Sequence, residues 1–130
     1  MSRRNARRHA FELIFQLPFH KPCDYPELKD LYTEGLPETE REFIDAEFSG
    51  VVENLARIDE LISGSLSGWK IERINRADLA ALRLAIYEMT CSGQIPVSVS
   101  INEAVELAKA YGTDDSYGFV NAVLGRIANE

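Results

Sequence analysis

Apolar residues recur at steps of three and four along nearly the whole chain, which is the spacing of amphipathic helices. The pattern is interrupted at prolines and glycines, which commonly end helices or separate them. It predicts about six helices: 6–17, 26–34, 37–62, 76–91, 101–111, and a last one that begins within 113–116 and includes 119–127. The predicted class is therefore all-α, with short connections in a single domain that spans residues 1–130.

Several single residues refine this prediction. Gly50 lies inside an apolar stripe and predicts the close passage of another helix. Ser100 and Glu103 match a capping box, and Gly112 suits a left-handed helix stop. Trp69, which follows a glycine, is expected to pack as a lid over the core.

Charge divides the chain into two unequal parts. The net charge is −7, but residues 1–21 carry five basic residues and one acidic residue, so the remainder carries −11. This asymmetry suggests a polyanionic partner at the N-terminal arm and a cationic partner at the body. A solvated helix start on an acidic, soluble body explains the same composition, and composition alone favours that explanation.

Composition excludes some classes of protein and some kinds of site. No apolar run approaches the length of a membrane span, and the charged N-terminus does not resemble a signal peptide, so a cytoplasmic protein is expected. Cys23 and Cys91 are far apart and predict two reduced thiols. His9 and His20, the only histidines, lack ligand-like neighbours at metal spacing, so no structural zinc site is expected. No cofactor is expected either.

No catalytic constellation is evident. The chain has no phosphate-binding loop and no Gly-x-Ser-x-Gly motif. Arg83 and Glu88 lie in the most apolar predicted helix, where charged residues usually form a structural ion pair or contact a partner. An enzyme is therefore the least favoured class.

The N-terminal arm offers a better candidate site. Arg4, Arg8, Phe11 and Phe15 share one helical face, and arginines beside aromatic rings suit RNA because guanidinium groups bind phosphate and rings stack on bases. Phe11 is better explained as core, whereas both explanations remain open for Phe15. Positive charge at a helix N-terminus opposes the helix dipole, which suggests a role other than folding.

The chain resembles the NusB family of bacterial transcription antitermination factors. The motifs that carry the resemblance are RRNAR at 3–7, ADL at 77–79, LRLAIYE at 82–88, PV at 96–97, INEAVELAK at 101–109 and FVNAVL at 119–124. The resemblance implies two packed helical subdomains, no enzyme activity, and binding of boxA RNA together with NusE, the ribosomal protein S-ten. It also implies assembly with other Nus factors on RNA polymerase, where the complex suppresses early termination, notably in ribosomal RNA operons.

The resemblance also assigns roles to particular residues. It implies RNA contacts for Arg3, Arg4, Arg7, Phe15, Asp115 and Phe119. It implies a NusE-facing surface at Glu72, Asp78 and Leu82, although Leu82 is at least as well explained as core. The sequence departs from the family pattern at Leu17, at Ala122, and at Pro18 and Phe19, where the first helix ends in an unusual way.

Two other functions stay open. A freestanding ribosome-assembly factor would use the same RNA-binding fold for a different purpose. A protein adaptor would use the acidic body and would not contact RNA.

Overall fold

The computed structural model describes residues 3–68 and 70–129, so the predicted packing of Trp69 lies outside the described residues. Within the described part the fold consists of α-helices with short turns between them and contains no strand, which confirms the all-α class. The described residues form seven α-helices rather than about six: Arg3–Phe15 (α1), Tyr25–Thr33 (α2), Glu38–Glu53 (α3), Leu55–Ser65 (α4), Arg76–Tyr87 (α5), Val97–Tyr111 (α6) and Ser116–Ala128 (α7). None of the described helices is long and apolar enough to cross a membrane.

The extra helix arises because the predicted helix 37–62 is broken at Asn54. The backbone of Asn54 leaves helical geometry (φ −109°, ψ 15°), and its side-chain Nδ2 donates a hydrogen bond of 2.8 Å to the carbonyl oxygen of Gly50. An asparagine side chain can satisfy backbone groups in this way and so favours helix ends. The apolar stripe continues through both helices, which is why spacing alone did not show the break.

Helix α5 is the central helix, as its almost uniformly apolar sequence predicts. It packs against five other helices: α1, α3, α4, α6 and α7. The α-helix ends at Tyr87 and a π-helical turn, Glu88–Ser92, replaces its predicted last turn. Gly93 then ends the segment with a positive φ of 66°. The π-helical turn contains Glu88, whose side chain is completely buried.

The predicted close passage at Gly50 is confirmed. A Cβ atom at this position would lie 2.1 Å from Cε1 of the Tyr87 ring, so the absence of a side chain lets α5 approach α3.

The start of α6 corrects the predicted capping box. The helix begins at Val97, four residues earlier than predicted, and the carbonyl oxygen of Pro96 accepts hydrogen bonds from the backbone N–H groups of Val99 and Ser100. Ser100 therefore lies inside the helix, and its buried hydroxyl donates to Glu88 Oε1 at 2.9 Å. Its predicted partner, Glu103, instead forms ion pairs with arginines of α1.

Gly112 ends α6, but not in the predicted left-handed conformation, since its φ is −99°. Glycine is required there by close packing. A Cβ atom would lie 2.2 Å from Ser116 Oγ and 2.8 Å from Asp78 Oδ1.

Candidate nucleic-acid interface

The four arginines of α1 fall into two groups. Arg3, Arg4 and Arg8 are exposed, whereas Arg7 is 5% exposed. The helix brings all four together, as predicted, but packing against α3 and α6 determines which guanidinium groups reach solvent.

Arg7 lies at the centre of a buried charged cluster. Its Nε is 3.0 Å from Glu88 Oε2, its Nη2 is 3.2 Å from Glu88 Oε1, and its Nη1 is 3.5 Å from Glu103 Oε1. This bidentate geometry is the strong form of an arginine–carboxylate pair. The predicted contact of Arg7 with an RNA phosphate is therefore revised, because two carboxylates already occupy its guanidinium group.

Glu47 of α3 completes the buried cluster. Burial raises its pKa, and the negative charge of Glu88 raises it further, to about 9. Glu47 is therefore protonated at neutral pH and can donate a hydrogen bond to Glu88. Sequence reasoning missed Glu47, because an acidic residue in an otherwise ordinary amphipathic helix gives no sign of burial.

A groove of about 510 Å³ lies between α1 and α6. Arg4 and Arg8 contribute to its wall, and Tyr111 lies at one end. Arg4 Nε is 3.1 Å from Glu103 Oε1, yet the Arg4 side chain remains 76% exposed. Arg3 lies just outside this groove, with its guanidinium carbon 4.3 Å from the centre of the Phe43 ring. The guanidinium groups of Arg3 and Arg4 are thus each held by a protein contact.

Aromatic side chains lie at the other end of α1. Phe15 is half-buried, and its ring centre is 5.9 Å from that of Phe19. Phe11 is buried, which confirms its assignment to the core, and it packs against Tyr111 at 4.9 Å. Tyr111 is 45% exposed and its hydroxyl donates to Glu12 Oε2 at 3.1 Å. Sequence reasoning missed Tyr111 as a site residue, although a tyrosine just before a helix-ending glycine could have indicated an exposed ring.

A second cavity brings together residues that the resemblance assigned to different partners. Asp78, Asp115 and Phe119 line one cavity of about 320 Å³, together with Arg73. Asp115 is exposed at the N-terminus of α7, and its side chain makes no capping hydrogen bond. Phe119 is half-buried on the same helix. The structure therefore places an aspartate assigned to RNA next to an aspartate assigned to NusE.

Asp78 is only 4% exposed. It accepts a hydrogen bond of 2.9 Å from Asn75 Nδ2, while Asn75 Oδ1 caps α5 by accepting from the Asp78 backbone N–H. Burial raises the pKa of the Asp78 carboxyl. Asp78 therefore lines the cavity as a buried residue with little surface available to a partner.

The remaining assigned residues differ in accessibility. Glu72 is exposed in the 3-10 turn Ile71–Arg73, where a partner can reach it. Leu82 is 0% exposed, so the structure favours its alternative explanation as core. Arg83 forms a bidentate pair with Asp59, with both hydrogen bonds at 2.9 Å, rather than a pair with Glu88.

No ligand set for a metal is apparent in residues 3–68 and 70–129, where no three His, Cys, Asp or Glu side chains cluster at metal-binding distance. Cys23 and Cys91 are both free, exposed thiols.

Comparison with known proteins identifies the fold as one shared by transcription factors. The family model described as the NusB family matches residues 4–129. The transcription antitermination protein NusB of Agathobacter rectalis is 42% identical, with 98% of this chain and 100% of the relative covered. That of Bacillus pumilus is 42% identical, with 100% of this chain and 97% of the relative covered.

Two solved structures are similar over the same length. The structure of T. maritima NusB has a TM-score of 0.86 and 39% identity, covering 100% of this chain and 92% of that one. A crystal structure of antitermination factors NusB and NusE in complex with dsRNA has a TM-score of 0.83 and 25% identity, covering 98% of this chain and 96% of that one.

Proposed function

We propose, since this chain belongs to the NusB family of transcription antitermination proteins, that it binds boxA-type single-stranded RNA together with NusE. The complex then joins other Nus factors on RNA polymerase in the cytoplasm and suppresses early termination, notably in ribosomal RNA operons. The protein acts by binding and not by catalysis.

The observation that carries this proposal is the set of exposed guanidinium groups on α1. Arg4 and Arg8 line the groove between α1 and α6, and the exposed Arg3 lies beside them on α1. Arginine binds phosphate oxygens in a bidentate manner, so these side chains supply the affinity and orientation of the RNA. The solved NusB–NusE complex with dsRNA supports this interpretation through its similar fold.

We assign the remaining residues by accessibility. Phe15 and Tyr111 offer rings on which unpaired bases can stack, as RNA-binding proteins commonly do. Asp115 and Phe119 lie at the mouth of the second cavity, where a carboxylate can accept hydrogen bonds from base amino groups. Glu72 is the accessible acid for the cationic partner, NusE.

Three residues are not proposed to contact RNA or NusE, although the family resemblance assigned them such contacts. Arg7 holds the buried charged cluster, Leu82 belongs to the core, and Asp78 supports the cavity that Asp115 and Phe119 border.

The proposal is tested by replacing Arg3, Arg4 and Arg8 together with alanine. Each lost phosphate contact lowers the slope of log affinity against log salt by about 0.7 on single-stranded RNA, so the triple variant should lose about 2. Fluorescence titrations with a boxA-type oligonucleotide, with and without NusE, measure this slope over a range of salt concentrations. A duplex of the same sequence, titrated in parallel, shows whether the unpaired form is preferred.

A control that removes two positive charges away from the groove replaces Arg41 and Arg57, two exposed arginines on α3 and α4, with alanine. This control changes the net charge without altering the groove and should leave the slope close to that of the wild type. If the triple variant keeps the wild-type slope and affinity, α1 does not bind the RNA backbone. Retained NusE binding without any RNA preference would favour the protein adaptor.

A further inference from the structure

We propose that Phe19 and Arg76 form a separate nucleobase-stacking subsite that continues the RNA path beyond Phe15. This inference rests on the proposed function, because it concerns how the same RNA is bound. It names a ring and a cation that the family resemblance leaves without a role.

Phe19 is exposed in a way that folding does not explain. Phe19 is 55% exposed, although Leu17, two residues earlier in the same turn, is buried. The 3-10 turn Leu17–Phe19 holds its backbone, since Pro18 restricts one dihedral angle and the Phe19 N–H donates to the carbonyl oxygen of Gln16 at 2.9 Å. The ring is therefore presented to solvent by a rigid turn.

Arg76 covers part of this ring. Its guanidinium carbon lies 4.6 Å from the ring centre, within the range of a cation–π contact. Arg76 is exposed, and no carboxylate of residues 3–68 and 70–129 pairs with it. It is also the first residue of α5, where positive charge opposes the helix dipole, so the cation does not serve the helix. Guanidinium planes and aromatic rings are the two surfaces on which RNA-binding proteins stack bases.

The Phe19–Arg76 pair lies next to the C-terminal end of α1. Phe19 packs against Phe15, with 43° between the ring planes, and Phe15 and Ala77 line a common cavity of about 240 Å³. At a rise of 1.5 Å per residue, Phe15 lies about 18 Å along α1 from Arg3. The Phe19–Arg76 pair and the exposed arginines of α1 therefore contact different nucleotides of one strand.

Local charge favours RNA over a protein as the occupant. The segment 70–76 carries Lys70, Arg73 and Arg76 against the single acid Glu72, so it is a cationic region on an acidic body. A polyanion with stacking bases matches both the positive charge of Arg76 and the exposed ring of Phe19.

The test combines protein variants with abasic RNA. Phe19→Ala should weaken binding of a boxA-type single-stranded oligonucleotide by about 5-fold or more, because one base–aromatic stack is lost. Phe19→Tyr should retain affinity, and Arg76→Ala should weaken binding with a smaller salt slope. The control is Leu31→Ala, which removes an exposed apolar side chain (63%) on α2 and should change nothing.

A set of oligonucleotides, each with one abasic position, locates the stacked base. For wild type, one abasic position beyond those that contact Phe15 should weaken binding. For Phe19→Ala, an abasic site at the same position should cause no further loss of affinity, because the aromatic ring on which that base stacks is already absent. Thermal melts should show the same midpoint for Phe19→Ala and Leu31→Ala as for wild type.

The outcomes separate this inference from the proposed function. If the wild-type protein does not bind RNA, both the proposed function and the stacking subsite are wrong. If wild type binds and the triple arginine variant does not, but Phe19→Ala matches wild type at every abasic position, the subsite alone is wrong. If Phe19→Ala weakens binding of NusE and leaves binding of RNA alone unchanged, the pair is a protein contact and the proposal is overturned.

Discussion

Arg4 and Arg7 are three residues apart on one helix, yet they have opposite environments. The Arg4 side chain is 76% exposed and pairs with Glu103 at the surface, whereas that of Arg7 is 6% exposed and is bound by Glu88 and Glu103. Counting positive charge at the N-terminus therefore overstates the surface available to RNA. The decisive partner of Arg7 is 81 residues away in the sequence, so local spacing could not reveal it.

The two environments are connected through Glu103. One of its oxygen atoms lies 3.1 Å from Arg4 Nε and 3.5 Å from Arg7 Nη1. The buried charged cluster thus holds the first turns of α1 against α6. Neighbouring arginines of α1 therefore have different roles, since Arg7 stabilises the fold and Arg4 is available to bind RNA.

Removal of Arg7 should have the largest effect. Arg7→Ala leaves the carboxylate of Glu88 buried without its cation, which should lower the free energy of unfolding by about 3–5 kcal/mol. Denaturant titration followed by circular dichroism measures this loss.

The control for this variant is Arg83→Ala, which breaks the bidentate pair with Asp59, itself 30% exposed. Because water can reach the Asp59 carboxylate that remains, Arg83→Ala should lose less stability than Arg7→Ala, whose partner Glu88 is only 1% exposed. Equal losses for the two variants would contradict the distinction between a fully buried and a partly buried ion pair.

The second prediction concerns pH. The ordinary pKa of a glutamate is 4.5 and that of Glu47 is about 9, so between these values the folded protein binds a proton that the unfolded chain has lost. Stability linked to this proton is complete below pH 4.5 and falls as the pH rises toward 9.

Glu47→Gln removes this dependence while keeping a donor to Glu88. The melting temperature of the variant should exceed that of wild type, by an amount that grows from pH 5 to pH 9, because only wild type loses the proton-linked stability over this range. Thermal melts at several pH values measure the difference. Parallel curves for the two proteins would show that Glu47 titrates normally.

Much of the fold follows from local pattern. The class, the central position of α5 and the close approach at Gly50 were all predicted correctly from spacing and composition. The errors occur where a residue's role depends on a distant partner. Ser100 has the sequence signature of a cap, but its hydroxyl donates a hydrogen bond to the buried carboxylate of Glu88, and α6 begins earlier.

The candidate site was less predictable for the same physical reason. A helical pattern places Arg4 and Arg8 on one face correctly, since that needs only the helix period. It cannot show that α3 and the π-helical turn bury Arg7, or that α7 brings Asp115 and Phe119 to Asp78. Long-range packing decides which charged residues face solvent.

The most direct test compares the salt dependence of RNA binding in two variants that each remove one arginine of α1. Arg4→Ala removes an exposed guanidinium group. The double variant Arg7→Met with Glu88→Gln removes the buried pair without leaving an unpaired charge, a replacement that proteins often tolerate. Both are titrated with the same single-stranded RNA below their melting temperatures.

We expect Arg4→Ala to lower the salt slope by about 0.7 with an unchanged melting temperature, and the double variant to keep the wild-type slope. A lowered slope in the folded double variant, with a wild-type slope in Arg4→Ala, would contradict the division of α1 into an RNA-binding face and a structural one.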